Sequence, residues 1–338
     1  MAGAEGIDRW LYPTQRGLFC APGDFFIDPP GGVHRAIITH GHADHARPGH
    51  QAVLATPETL AIMALRLGEG AGAVREPLAY GQSERIGGVD VRLVPAGHVL
   101  GSAQVVLDYR GQRAVVSGDY KRDTDPTCAS FALVTCDVFV TEATFGLPVF
   151  RHEPAEREIA KLLTSYRQFP ARTHLVGAYG LGKAQRVIAL LRQAGYARTI
   201  YLHGAVAKLC TLYEDLGVDL GPLQLVAERP DDKLAGEIVI APPSALQDRW
   251  SRRLADPVTV FASGWMRVRG RARQRGVELP LIISDHADWP GLIKTIEETE
   301  AEEVWVTHGR EEALVHQIAL MGKRGRALAL IGREDEAE

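Results

Sequence analysis

Cysteine is sparse in this 338-residue chain, and its four copies, Cys20, Cys128, Cys136 and Cys210, nowhere form a Cys-x-x-Cys spacing. That excludes a disulfide framework and a thiolate zinc site, and it suits a reducing, cytoplasmic setting. No stretch reaches the roughly 18 apolar residues of a membrane span, and residues 1 to 17 lack the apolar core and small-residue ending of an export signal. Neither a membrane partner nor export is expected. Positive charge is not in excess either: 38 Lys and Arg stand against 42 Asp and Glu, a net charge of −4. Binding nucleic acid by bulk charge is thereby disfavoured, though a local basic patch is not. What remains is an ordinary globular composition, 46% hydrophobic and 24% charged, and length enough for two domains with sizeable cores.

Histidine is where the chain departs from the ordinary. Thr39-His40-Gly41-His42-Ala43-Asp44-His45 places three imidazoles and a carboxylate directly after the apolar run Ala36-Ile37-Ile38, which reads as a buried strand. A loop at a strand end can aim alternate side chains at one point. His40 and His42 suit one metal ion, and Asp44 and His45 a second one nearby. Packing gives no reason for histidine and aspartate to crowd there.

The rest of the first 149 residues repeats this grammar. Strand 24–28 ends in Asp28, placed to orient a metal ligand from behind, although a turn-forming aspartate is the plainer reading. Thr56-Pro57 caps a helix to about Leu67. Strand 89–94 delivers His98 on a glycine-flanked loop, a hairpin over 103–117 ends in Gly118-Asp119, and strand 137–141 ends in Glu142. Polar residues at the ends of successive strands point to one site along a sheet edge.

From about residue 150 strands and helices alternate: helix 153–168, strand 173–177, helix 183–193, strand 199–202, helix 206–216, strand 237–240, helix 244–254 and strand 258–261. That pattern predicts a parallel, doubly wound α/β domain over 150–275. Within it, Gly177 to Ala184 nearly matches a phosphate-binding loop, but Ala184 stands where a hydroxyl must reach magnesium, so nucleotide hydrolysis is disfavoured. Lys183 at the helix start remains a candidate for a polymer's phosphate. Arg267, Arg269, Arg271, Arg273 and Arg275 fall within nine residues, with Arg249, Arg252 and Arg253 just upstream. A solvated face is the usual meaning of such a run; binding of a phosphate backbone is the alternative preferred here. Strand 281–283 then leads to His286, strand 304–307 to His308, and helix 311–323 and strand 327–330 complete the first domain. His34, His50, His152, His174, His203 and His316 have no comparable companions.

Taken together, His-x-His-x-Asp-His at 40–45, Ala-Gly-His-Val-Leu-Gly-Ser around His98, Ser-Gly-Asp-Tyr at Asp119, Thr-Glu-Ala-Thr-Phe-Gly at Glu142, Ser-Asp-His-Ala-Asp at His286 and Thr-His-Gly at His308 resemble the metallo-β-lactamase superfamily. More narrowly they resemble its β-CASP nuclease branch, and the wording around Asp119 and Glu142 is similar to the bacterial ligase-associated DNA exonucleases. The resemblance implies an αββα sandwich (1–149 and 276–338) with the β-CASP domain inserted at 150–275. It also implies two zinc ions, with manganese as the alternative given the oxygen ligands. His40, His42 and His98 would hold one, Asp44, His45 and His308 the other, and Asp119 would bridge them, activating a hydroxide for phosphodiester hydrolysis. His286 would act as general acid, oriented by Glu142. The implied substrate is DNA, single-stranded or with free ends, cut exonucleolytically in repair beside a DNA ligase and a helicase. Lys121, Arg122, Lys183 and the arginine run would touch its backbone. RNA cleavage is the runner-up, and a small-molecule metallohydrolase the third reading.

Overall fold

The computed structural model of the chain describes residues 6–229 and 233–328. The chain divides into two compact units, one of Met1–Phe150 and His286–Ala337, the other of Arg151–Asp285.

The first unit begins with a six-stranded sheet of β1 (Leu11–Thr14), β2 (Gly17–Cys20), β3 (Phe25–Ile27), β4 (Arg35–Ile37), β5 (Ala52–Ala55) and β6 (Val74–Pro77), adjacent in that order. Helix α1 (Pro57–Leu67) joins the last two; the Thr56 side chain accepts from the Thr59 amide and Pro57 opens the first turn. A seven-stranded sheet follows with β7 (Ser83–Ile86), β8 (Val89–Pro95), β9 (Ala103–Tyr109), β10 (Gln112–Val116) and β11 (Val138–Ala143). The β9/β10 hairpin closes on Arg110 and Gly111, both at positive φ, as a two-residue turn requires.

Strict alternation sorts the side chains of these strands. Phe25, Ile27, Ile37, Val105, Leu107, Ala114, Val116, Val138 and Val140 form one cluster shared by both sheets, which therefore pack face to face. Their neighbours point the other way: Phe26, Ala36 and Val53 meet Leu60 and Met63 of α1, while Val106, Val115 and Phe139 belong to a cluster on the far side of the second sheet. Each fully buried Val, Leu, Ile, Met or Phe among them contributes about 1.5–3 kcal/mol.

The second unit carries a six-stranded, all-parallel sheet. In chain order it holds α2 (Ala155–Gln168), β12 (His174–Gly177), α3 (Lys183–Gln193), β13 (Ile200–Leu202), α4 (Gly204–Asp215), β14 (Leu223–Leu225), β15 (Ile238–Ala241), β16 (Val258–Ala262), α5 (Arg269–Arg275) and β17 (Leu279–Leu281). The spatial order is β14-β13-β15-β12-β16-β17. The chain then returns to the first unit with α6 (Trp289–Glu298), β18 (Glu303–Gly309), α7 (Glu311–Leu320) and β19 (Arg324–Ala327). β18 pairs with β11 in the seven-stranded sheet, and α6 and α7 cover its outer face through Leu292, Ile296, Leu314 and Ile318.

Several expectations need correction. Residues 244–254 form two short 3-10 turns, Pro243–Leu246 and Arg249–Arg253, because Asp248 accepts from the Trp250 amide and starts the second turn afresh. The strand expected at 281–283 lies at Leu279–Leu281 and pairs with β16, so the second unit runs to Asp285 rather than 275. The last helix stops at Leu320, ahead of Gly322 at φ 75°, and the last strand is Arg324–Ala327; Ala329 and Leu330 of the expected strand lie outside the described residues. No helix among the described residues is long and apolar enough to cross a membrane.

Candidate metal centre

Register builds the site. β3 and β4 pair in parallel with Phe26 beside Ala36 and Ile27 beside Ile37, so the residues that leave these strands emerge side by side. Asp28, at φ 43°, turns its carboxylate under the histidine loop. Its Oδ1 accepts from the Thr39 amide at 2.8 Å, and its Oδ2 from the Thr39 hydroxyl at 2.6 Å and from His45 Nδ1 at 2.7 Å. An ionised carboxylate can only accept, so His45 donates to Asp28 from Nδ1 and turns Nε2 toward Asp44 Oδ2 (3.2 Å) and Asp119 Oδ2 (3.5 Å). Thr39 fixes Asp28 through both its amide and its hydroxyl. Its only sequence signal is its place directly before the motif, and the strand register supplies the rest.

His98 stands on the loop after β8, where Ser102 Oγ accepts from the His98 and Val99 amides. Asp119 follows β10 through Gly118 at φ 56°, where a Cβ would stand 2.7 Å from the Thr39 side chain, so the Asp119 loop and the histidine loop touch where only glycine fits. His308 lies near the end of β18, also at positive φ, 62°. There Thr141 pairs with Val306 and Ala143 with Gly309, a register shift that gives β18 one residue more than β11.

These loops bring together His40, His42, His98 and Asp119 in one set and Asp44, His45, His308 and Asp119 in another, each with donor atoms within 4.8 Å of one another. In the first set His42 Nδ1 lies 3.1 Å from His40 Nε2 and 2.9 Å from His98 Nε2. Three imidazole nitrogens that converge so closely need protons or a cation between their lone pairs. Asp119 Oδ2 is 3.4 Å from His40 Nε2 and 3.7 Å from His98 Nε2, and its Oδ1 is 3.3 Å from His308 Nδ1. His308 Nε2 is 3.8 Å from Asp44 Oδ2.

Electrostatics keeps these groups in the forms a cation needs. Burial, and then the neighbouring His45, hold the His40 imidazole well below its ordinary pKa, so it is neutral with a lone pair to offer. Burial alone would raise the Asp44 and Asp119 carboxyls; His45 beside both, with His286 beside Asp119, overrides it and keeps both ionised. Neutral imidazoles and carboxylates at this spacing fit a borderline divalent cation such as zinc.

Next to this cluster, His286 Nδ1 lies 2.9 Å from Glu142 Oε2, and Glu142 Oε1 accepts from the Tyr120 amide at 2.8 Å. Glu142 thus accepts from Nδ1 and fixes the orientation of the His286 ring, with Nε2 as the ring's second proton-carrying atom. The rings of His286 and His98 are 4.6 Å apart, and Asp119, Glu142 and His286 form a third group of potential donors.

The basic candidates fare differently. Arg267, Arg269 and Arg273 are exposed, and Arg271 is half-buried over the Trp265 ring at 4.0 Å. Lys121, Arg122 and Lys183 are engaged within the protein. Lys121 is buried with Nζ 2.9 Å from Asp123, Arg122 pairs with Glu298 at 2.6 Å and covers Phe131, and Lys183 is fully buried 3.6 Å from Asp285. The phosphate contact expected of Lys183 is therefore corrected to a buried ion pair.

No protein-family model matches the chain. A "Probable DNA ligase" of Opitutus terrae is 26% identical over 333 residues, which cover 97% of this chain and 32% of that protein. The cleavage and polyadenylation specificity factor subunit 3 of Dictyostelium discoideum is 30% identical over 145 residues, 40% of this chain and 18% of that one. The aligned part thus spans about a third or less of either relative. Among solved structures, a protein of unknown function from Enterococcus faecalis superposes with a TM-score of 0.58 at 13% identity, over 89% of this chain and 80% of that one, a likeness of fold.

Proposed function

We propose that this chain, which belongs to the β-CASP branch of the metallo-β-lactamase superfamily, is a metal-dependent DNA exonuclease that hydrolyses phosphodiester bonds of single strands or free ends. The observation that carries the reading is the convergence of two donor sets on Asp119 with the His286–Glu142 pair alongside. In this reading the first unit is the αββα catalytic domain and the second the inserted β-CASP domain. His40, His42, His98, Asp44, His45 and His308 hold two zinc ions, or manganese, with Asp119 shared. Bound there, the pair supplies positive charge against the phosphate oxygens and a more acidic water.

The chain's own residues do the rest. Asp28 holds the His45 ring so that Nε2 faces inward. Glu142 accepts a hydrogen bond from Nδ1 of His286 and favours the doubly protonated ring, whose Nε2 proton then passes to the departing 3′ or 5′ oxygen and leaves the ring neutral with its remaining proton on Nδ1. DNA is favoured because a relative that aligns with nearly the whole chain is named for DNA ligase, and a place beside a ligase is proposed on the same likeness; the repair role and a helicase partner rest on the resemblance read from the sequence motifs. RNA is the second reading, because the other relative is named for cleavage and polyadenylation. The metal centre cannot discriminate between them, since the chemistry at phosphorus is common to both polymers; contacts to the 2′-hydroxyl decide.

Matched linear and circular DNA and RNA strands, labelled at either end and given to the purified protein with zinc or manganese, test this choice. Stepwise shortening of linear DNA with circles spared is expected; efficient cutting of RNA or of circles would overturn it. A second measurement concerns the exposed arginines. Replacing Arg267, Arg269 and Arg273 with alanine should weaken binding of all sequences alike and flatten the slope of log affinity against log salt by roughly one unit per lost phosphate contact. An unchanged slope would return the run to a solvated face.

A further inference from the structure

All six strands of the second unit's sheet run in parallel, so their carboxyl ends lie along one edge, the edge at which open α/β sheets bind ligands. Four adjacent strands each release an aromatic ring there. β13 gives His203 one residue past its end, β12 gives Tyr179 two past, β16 gives Trp265 three past, and β15 leads through the two 3-10 turns to Trp250. With strands about 4.8 Å apart, the carboxyl ends of β13, β15, β12 and β16 span about 15 Å. All four rings are half-buried, their bodies anchored and part of each surface in solvent.

The rings are held in place. His203 and Trp250 meet edge to face with centroids 4.5 Å apart and planes at 74°. The His203 ring accepts from the Ala205 amide, and Asp248 accepts from the Trp250 amide. Farther along, the Arg271 guanidinium lies 4.0 Å over Trp265, an arrangement that offers a flat cationic face. Exposed Arg249 and Arg252 flank Trp250, and exposed Arg267 and Arg269 follow Trp265. Tyr179, Trp250 and Trp265 pack one side against the unit's apolar core, and the solvent-facing remainder of each ring lies among these arginines.

Resting on the nuclease reading, we propose that this edge is a stacking platform for the unpaired bases of a single-stranded nucleic acid, with His203 and Trp250 as its principal step. Interleaved arginines neutralise the phosphates while rings take the base faces, the combination by which single strands are held without sequence preference. A duplex, whose bases are already stacked on one another, gains only from the arginines. The platform thus selects unpaired strand over duplex independently of the metal centre.

The test uses the full protein with its metals and three probes with uncleavable phosphorothioate backbones: a single-stranded oligothymidylate, an abasic strand of equal length, and a duplex. Trp250→Ala and His203→Ala should each weaken the oligothymidylate about tenfold, within the range of a lost base stack, and leave the abasic strand unchanged. Trp250→Phe, which keeps a ring, should retain most of the affinity and guards against a folding defect. Tryptophan fluorescence should be quenched by the oligothymidylate and not by the abasic strand. Equal losses for both strands, or no loss, would overturn the platform while leaving the nuclease reading intact. Failure of the unmodified protein to bind or cut any strand would overturn both.

Discussion

Asp119→Ala is expected to strip most of the bound metal and to lower turnover by more than about 10³-fold. The size follows from position: Asp119 is the one residue common to all three groups of potential donors. Removing it takes an anionic donor from both proposed cation sites at once, when metal ions supply several kcal/mol of transition-state stabilisation and each ~1.4 kcal/mol is tenfold in rate. It also leaves His40, His45 and His98 without the carboxylate that faces them at 3.4 to 3.7 Å. Metal content by elemental analysis, measured with turnover on the same preparation, checks this. Protein isolated without chelator that holds well under one metal per chain, together with an active Asp119→Ala, would refute the two-metal assignment.

The second large effect is at His286. His286→Ala should lose roughly 10²- to 10⁴-fold in turnover, the usual worth of general acid catalysis, and keep its metal. The separation is sharp because the same imidazole also belongs to a donor group with Asp119 and Glu142. If the variant loses metal, His286 is a ligand and the division of histidines proposed above fails. Glu142→Gln serves as the companion: with its Oε2 changed to an amide it no longer favours the doubly protonated His286 ring, so turnover should fall with metal content preserved.

How far the sequence revealed this molecule depended on range. The site residues sit at strand ends, and a strand ending is a local event: an apolar run stops and a histidine or aspartate begins. His40 to His45, His98, Asp119, Glu142 and His308 were legible for that reason, and they are the residues the structure gathers. Properties fixed by partners distant in sequence were not legible. Lys183 reads as an exposed phosphate ligand at a helix start, yet it is buried against Asp285, about a hundred residues away. Arg122 likewise pairs with Glu298. Leu281 to Ile283 is apolar enough for a strand, but the register with β16 is satisfied two residues earlier, at Leu279–Leu281. The helix expected at 244–254 fails because Asp248 offers the backbone a competing partner, a choice that hydrophobic spacing does not record.

One irregularity, the extra residue of β18 opposite β11, has a reach beyond its own strand. It lies between the pairs Thr141–Val306 and Ala143–Gly309, so a single insertion sets the direction of both Glu142 and His308. Gly309, at φ 107°, keeps the arrangement tight: a methyl group there would stand 2.2 Å from the Ala143 carbonyl oxygen. A side chain at that position would have to push β11 and β18 apart, displacing the outer member of one donor set and the partner of His286 in the same movement. In the proposed mechanism proton delivery and cation binding would therefore share one mechanical part, so that neither could be retuned without disturbing the other.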